Sequence, residues 1–352
     1  MTGTGPCDTP RVEGAVDVVA LGESMVAFLP TRPGRLADVP SFDRSIGGAE
    51  SNVACALAAA GHSARWVSRV GADGFGDHLL DAVGGWGVDV SAVRRDPARP
   101  TGLYFRTAGD RGTDAHEVAY YRAGSAASVM GVANVDLDAV RACRVLHLSG
   151  ITAALSADCL GLLRELTAPR PGRPLVSFDV NHRPGLWPDA AGPGVLLELA
   201  RGADIVFVGE DEAHGVWGVT GGPEQVRELL PEPEVLVVKE GARGATLFHG
   251  DAPGVFQPAL AVDVVATTGA GDAFAAGFLS ATLRGLPDRP RLRHGHLWAA
   301  AALTTPGDLA VPPARDTADR LAAVGDGTWG RLRLGPGWTQ ADPRAEEEVR
   351  TP

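Results

Sequence analysis

Long apolar runs are missing from this sequence, and no stretch approaches the roughly 20 uninterrupted apolar residues that a membrane-spanning helix needs. A helical membrane anchor is therefore not expected. The start of the chain has neither the basic opening nor the apolar middle of a secretion signal, so the expected location is the cytoplasm. Excess positive charge is missing too. Against 43 acidic residues stand 32 basic ones, for a net charge of -11, which argues against a nucleic-acid backbone as partner. Cysteine is scarce: Cys7, Cys55, Cys143 and Cys159 form no Cys-x-x-Cys pair and show no metal-ligand spacing. With no His-x-x-x-His pair either, no structural zinc is expected. Cys55 and Cys143 read as small core residues, and His294 and His296 as solvated helix residues. Lysine is nearly absent, since Lys239 is the one lysine among 32 basic residues. Such a bias follows from nucleotide composition, so abundant arginine carries no message.

What is present is an ordinary globular composition, 45% apolar and 21% charged, long for one domain but within reach of a single α/β core. Strand-like apolar runs fall at Val16–Leu21, Ala64–Val70, Arg144–Leu148, Leu175–Asp179, Asp204–Val208 and Val235–Lys239. Helical patterns lie between many of them, at Ala49–Ala60, Gly76–Trp86, Ser156–Leu166, Gly194–Ala200 and Glu210–Trp217. This alternation predicts an α/β fold with a mostly parallel sheet sandwiched by helices. Met25–Pro30 follows the first strand without a helix, and Gly102–Ala108 with Glu117–Arg122 reads as a hairpin. Together they predict a small β lid, drawn from about 23–45 and 99–123, over the sheet edge where ligands collect. Residues 16–322 are expected to form the domain, with tails at 1–15 and 323–352. An exposed lid edge could pair with a second copy's lid.

The segment Thr267-Thr268-Gly269-Ala270-Gly271-Asp272-Ala273-Phe274 carries the chemistry. Small residues open a helix there, and unpaired N–H groups around Gly269, Ala270 and Gly271 form an anion hole together with the positive helix end. Asp272 sits where it could take a proton from a hydroxyl aimed at a phosphate. Phosphoryl transfer asks mainly for positioning and charge stabilisation. The plainer reading is that the glycines shape a loop and Asp272 caps the helix.

With Gly47-Gly48-Ala49-Glu50-Ser51-Asn52-Val53-Ala54 and Val70-Gly71-Ala72-Asp73-Gly74-Phe75-Gly76 upstream, the chain resembles the ribokinase-like family of carbohydrate kinases over about residues 16–313. The resemblance implies an ATP-dependent kinase using Mg²⁺, with Asp272 as base. It places Gly47, Gly48 and Asn52 against the acceptor sugar, with Glu23 facing the sugar or else bridged to a lid arginine. Asp73 reads as a cap for the next helix. In Asp179-Val180-Asn181-His182-Arg183 the resemblance sets Asn181 near the phosphates and Arg183 near substrate. Glu212 would contact Mg²⁺ through water, although Gly209 stands where relatives carry Asn. Lys239, Gly241 and Gly244 fall beside the nucleotide, with Lys239 either reaching a phosphate or pairing with a carboxylate. Trp298 reads as adenine neighbour or core residue. Ala266 replaces a carboxylate that helps hold K⁺ in potassium-activated members, so Mg²⁺ but not K⁺ dependence is expected.

Within the family the chain looks most like the 2-keto-3-deoxygluconate kinases, through Leu21–Val26, Gly47–Glu50, Tyr120-Tyr121-Arg122 and the Arg183 region. Arg122 and Arg183 would read the acceptor's carboxylate, and Tyr104 and Tyr121 would wall the sugar. Other readings are a fructokinase or nucleoside kinase of the same fold, and a catalytically idle sugar-binding protein. In all of them the partner is a small molecule.

Overall fold

The computed structural model describes residues 14–107, 117–187 and 191–340. The expected 1–15 tail and Cys7 lie almost wholly outside this span, as does the charged end of the chain. An eight-stranded sheet forms the centre, in the spatial order Val255–Pro258, Gly244–His249, Val235–Lys239, Ile205–Gly209, Leu175–Asp179, Cys143–Ser149, Val16–Leu21, Ala64–Val67. The last six run parallel and the first two are added through antiparallel pairings. The parallel strands read as near-continuous Val, Leu, Ile and Phe because helices cover both of their faces. On one face Leu146, Leu148, Val176, Phe178, Val206 and Val208 pack against Leu162, Leu163, Leu196 and Leu199. On the other, Val145, Phe207 and Val237 meet Val53, Leu57, Phe274, Phe278 and Leu297.

A second, four-stranded sheet has the order Phe42–Gly47, Met25–Pro30, Leu103–Arg106, Val118–Tyr121. This is the expected lid, with one strand, Phe42–Gly47, that its polar sequence does not announce. Its hairpin pairs Tyr104 with Tyr120 and Leu103 with Tyr121, so alternate side chains face opposite ways. The outward face stacks Phe105 on Phe28 with centroids 4.8 Å apart.

Three expectations need correction. The run Ala64–Val70 is two strands: Ala64–Val67 joins the main sheet, whereas Arg69–Gly71 turns away to pair with Arg94–Asp96. His294 and His296 are buried, because the helix Asp288–Leu303 that carries them lies between Ala270–Leu283 and Arg315–Ala322. Burial lowers the His296 pKa to about 4, against the opposing effect of a contact to the Gln257 carbonyl. Residues 323–340 are no tail. Trp329 is fully buried, its indole N–H donating to the Pro258 carbonyl at 2.9 Å, and Arg333–Leu334 pairs with Ala261–Val262. Gly and Pro around these residues disguise a segment that folds by docking its aromatic anchor.

Candidate active site

The carboxyl ends of the parallel strands deliver Asp179, Gly209 and Lys239 to one rim of the main sheet, where open α/β sheets bind ligands. The lid faces that rim. Between them lies a cavity of about 1050 Å³ lined by Gly47, Gly48, Asn52, Tyr104, Arg122, Asn181, Arg183, Glu212, Lys239, Gly241, Gly269, Gly271 and Asp272. Most of the residues marked out by the sequence are thus gathered from segments more than 200 positions apart.

At the cavity floor the helix Ala270–Leu283 begins after Gly269, whose φ of 79° is left-handed. Glycine is required there twice over, since a Cβ would also run into the Asp308 carbonyl oxygen. Among the described residues the Gly271 and Asp272 amides donate to no carbonyl, and the Ala270 amide has only a long 3.5 Å contact to Thr267. The turn therefore presents open donors at a positive helix end. Asn52, one turn into the helix Ala49–Ala59, donates to the Asp272 carboxylate at 2.8 Å. Its Oδ1 has no partner although the residue is buried, so it can still accept a hydrogen bond from a hydroxyl. Burial pushes the Asp272 pKa up to about 7, against the bond from Asn52, with the Asp179 charge adding to the rise and Lys239 opposing it.

Asp179 is buried and ion-paired with Lys239 at 2.9 Å. Asn181, two residues on, adopts a φ of 39° and leaves its Oδ1 unpartnered, a strained conformation of the kind that collects at functional sites. Glu212 accepts from the Gly209 amide at 2.8 Å and the His182 amide at 3.1 Å. Each oxygen keeps a second lone pair, which suits contact through water. A Cβ at Gly209 would meet the Asp211 carboxylate, and Asp211 lines the cavity.

Several assignments shift. Glu23 takes its alternative reading, the bridge to a lid arginine: it does not line the cavity but is buried, paired with Arg122 at 2.5 Å and bonded by the Ser125 hydroxyl. Arg122 reaches the cavity with its charge already matched, whereas the Arg183 side chain is 53% exposed and lies 3.8 Å from Glu212. Tyr121 faces away, edge-on to Phe105, and Tyr120 lines the cavity beside Tyr104 instead; strand alternation decides this. Gly244 holds the backbone close to Gln257 in the antiparallel pair and is not part of the cavity wall. Trp298 takes the second of its two sequence readings, a core residue packed on Gly277.

Two functional candidates, Arg106 and Asp308, escape sequence reasoning. Arg106, on the lid, donates to Asp308 at 2.7 Å and to the Thr268 hydroxyl at 3.1 Å. Tyr104 donates to the other Asp308 oxygen at 2.5 Å. This clasp ties the lid to the turn before Asp272. Period-two spacing of Tyr104 and Arg106 is the one local signal, and nothing near Asp308 points to its partners.

The pfkB family carbohydrate kinase model matches residues 16–315. The chain is 36% identical over 306 residues to 2-dehydro-3-deoxygluconokinase of Bacillus subtilis (strain 168), covering 86% of this chain and 94% of that protein. It is 34% identical over 308 residues to probable fructokinase-6, chloroplastic, of Arabidopsis thaliana, covering 84% and 79%. Among solved structures, the PfkB protein from Polaromonas sp. JS666 matches with a TM-score of 0.77 at 36% identity, covering 88% of this chain and 100% of that one.

Proposed function

The chain belongs to the pfkB family of carbohydrate kinases and is a sugar kinase, and from that premise we propose that it phosphorylates a sugar acid, 2-keto-3-deoxygluconate (2-dehydro-3-deoxygluconate), with ATP and Mg²⁺. One observation carries the catalytic part. The bond from Asn52 to Asp272 joins the sugar-side glycine motif to the base at the anion hole across 220 positions. A sugar hydroxyl held by the free Asn52 Oδ1 lies beside the carboxylate that takes its proton. Asn52 orients, Asp272 accepts the proton, and the open amides of Gly271 and Asp272 stabilise the phosphate oxygens. Asp211 and Glu212 suit Mg²⁺, which keeps its waters and is commonly held by one or two carboxylates plus phosphates. When bound, that ion neutralises charge on the nucleotide phosphates. Among the described residues no cluster of three His, Cys, Asp or Glu offers a complete protein cage.

The acceptor reading rests on Arg183, the exposed guanidinium on the cavity wall. Initial rates with a panel of 2-keto-3-deoxygluconate, fructose and nucleosides test it. Arg183→Leu is expected to weaken the sugar acid by roughly 10-fold or more, the worth of a charge-assisted hydrogen bond, and fructose by less than about twofold. Equal losses would make Arg183 a wall and not a reader. Arg122 is a poorer probe, because its removal strands the buried Glu23 carboxylate. Outright preference for fructose would move the assignment to the second reading, which the fructokinase likeness favours.

Ala266 offers no carboxylate, and Asp263 is engaged with Arg333 at 3.1 Å. Chelating Mg²⁺ is expected to abolish turnover, and added KCl to leave it unchanged at matched ionic strength. Several-fold activation by K⁺ over Na⁺ would show that backbone carbonyls suffice for the monovalent ion. The outer lid strand exposes Val118 (43%), Tyr120 (54%) and Tyr121 (65%), and this edge is where a second copy would pair. A monomeric mass in sedimentation at high concentration would remove that part of the proposal.

A further inference from the structure

The strand that delivers the catalytic turn belongs to neither large sheet. Ala261–Val262 pairs with Arg333–Leu334 and, among the described residues, with no other strand. From its end the chain runs through Asp263, Val264, Val265 and Ala266 to Thr267 and the Gly269–Asp272 turn. Side chains hold this approach poorly. Val264 and Val265 are exposed, and the Asp263 pair with Arg333 is exposed on both sides, where ion pairs contribute little. Backbone bonds hold it instead. The Asp263 amide donates to the Leu334 carbonyl at 2.9 Å, and the Val265 and Ala266 amides to the Leu303 carbonyl at 2.7 Å and 3.3 Å. One acceptor ends the helix Asp288–Leu303; the other lies in the C-terminal segment, beyond the family match that ends at 315.

A buried charge docks that segment. The Arg293 side chain is 4% exposed, and its guanidinium lies 4.7 Å over the Trp329 ring. It donates to the Ala322 carbonyl at 2.9 Å and to the Val324 carbonyl, and pairs with Asp326 at 2.5 Å. Taking these acceptors away would strand a buried guanidinium, which is strongly unfavourable, so the helix holds the segment firmly. Trp329 in turn donates to the Pro258 carbonyl. From this anchor to the ladder there are three residues on one chain, Pro258 to Ala261, and four on the other, Trp329 to Arg333. So short a span leaves the pairing one register.

We propose that Arg333–Leu334 is a positioning element of the active site: by pairing with Ala261–Val262 it sets where the chain enters the Gly269–Asp272 turn, and so where the open amides meet the transferring phosphate. The inference rests on the kinase reading above and adds to it a part from outside the family match. The segment touches no reacting atom. It acts through the backbone of the turn, whose amides serve the transition state only while they are aligned with the developing charge. A misplacement of about 1 Å at such groups can cost about 10²-fold in rate. The sugar side, Gly47, Gly48 and Asn52, is carried by other elements, so sugar binding is spared.

A merely structural role gives a different pattern. The full chain is assayed as wild type, Leu334→Pro and Leu163→Ala, at a temperature where all three are folded. Proline supplies no N–H to a ladder. Leu163 is fully buried in the cluster on the other face of the main sheet, so its truncation lowers stability alone. Leu334→Pro is expected to lose at least about 10-fold in kcat, with the KM for the sugar within about threefold. Leu163→Ala is expected to melt lower with kcat within about twofold of wild type. Hydrogen exchange of peptides over 261–272 should be faster in Leu334→Pro and unchanged in Leu163→Ala. Wild-type kcat or wild-type exchange in Leu334→Pro would overturn the proposal, as would an equal kcat loss in Leu163→Ala. Should Leu334→Pro fail to fold, the wild type still decides. Its Asp263 amide is expected to be protected and to open at the same denaturant concentration as the Trp329 amide, as one cooperative unit. An Asp263 amide that exchanges freely, or that opens apart from Trp329, overturns the proposal. Absence of ATP turnover in the wild type on every acceptor sinks the kinase reading instead, and leaves the exchange measurements to judge the pairing.

Discussion

Asp272→Asn is expected to lower turnover by at least about 10²-fold while leaving ATP binding nearly intact, since only the proton acceptor is lost. The same change should stabilise the protein above neutral pH. Burial first, then the Asp179 charge, lifts the Asp272 carboxyl to about 7 from an ordinary 3.8, with the Asn52 bond and Lys239 pulling the other way. A folded-state pKa above the unfolded one means that the native state holds a proton the unfolded chain has released. Its stabilising effect is complete below about pH 4 and is lost as pH rises through about 7. At pH 8 the ionised carboxylate then costs on the order of 1–2 kcal/mol after allowance for its partial exposure. Asparagine removes that cost and can still accept the Asn52 amide through its own oxygen. Thermal melts should place the variant a few degrees above wild type at pH 8 and level with it near pH 4. Wild-type kcat should rise through about pH 7 to a plateau, because the base must be unprotonated. A flat profile between about pH 5.5 and 8.5, or near-normal turnover of the variant, would remove Asp272 from its role.

Gly269→Ala should damage stability and catalysis together. At a φ of 79° an alanine is strained by roughly 1–2 kcal/mol, and its methyl would meet the Asp308 carbonyl oxygen inside contact distance. That carbonyl cannot simply yield, because the same residue's carboxylate is held by Arg106 and Tyr104. The turn must shift instead, carrying the open amides with it. The expected loss is about 2–4 kcal/mol of stability and about 10²–10³-fold in kcat. Gly74→Ala is the control, since a Cβ there meets nothing within 4 Å. Denaturant melts and steady-state rates on both variants check the contrast. Turnover of Gly269→Ala within threefold of wild type would mean that the turn is not pinned by Asp308.

Local pattern makes much of this fold legible. Leu175–Asp179, Val235–Lys239 and Met25–Pro30 match as strands and Glu210–Trp217 as a helix, because uniform apolar runs and capped helical periods are decided within a few residues. Phe42–Gly47 is hidden because Asp43 and Arg44 face solvent on a lid edge, and edge strands need no apolar alternation. The Asp272 turn is recognisable from its small residues. The partners that set its chemistry are not, since Asp308 meets Arg106 across 202 positions. Sequence spacing also points to the wrong neighbour in Tyr120-Tyr121, where register alone decides which ring faces inward. Arg122 and Glu23 are each legible as charged lid-side residues. A bridge from Glu23 to a lid arginine is one of the two readings its sequence leaves open; that the partner is Arg122, which withdraws both from easy contact with a ligand, is decided by tertiary approach.

The Asp308 clasp has a mechanical meaning. Tyr104 and Arg106 are alternate residues of one lid strand, both turned to the same face and both gripping a single carboxylate. Because both bonds end on one carboxylate, any displacement of that strand from Asp308 stretches the two together. Asp308 thus acts as a double latch, holding the inner face of the lid strand against the turn before Asp272 through two bonds to one residue.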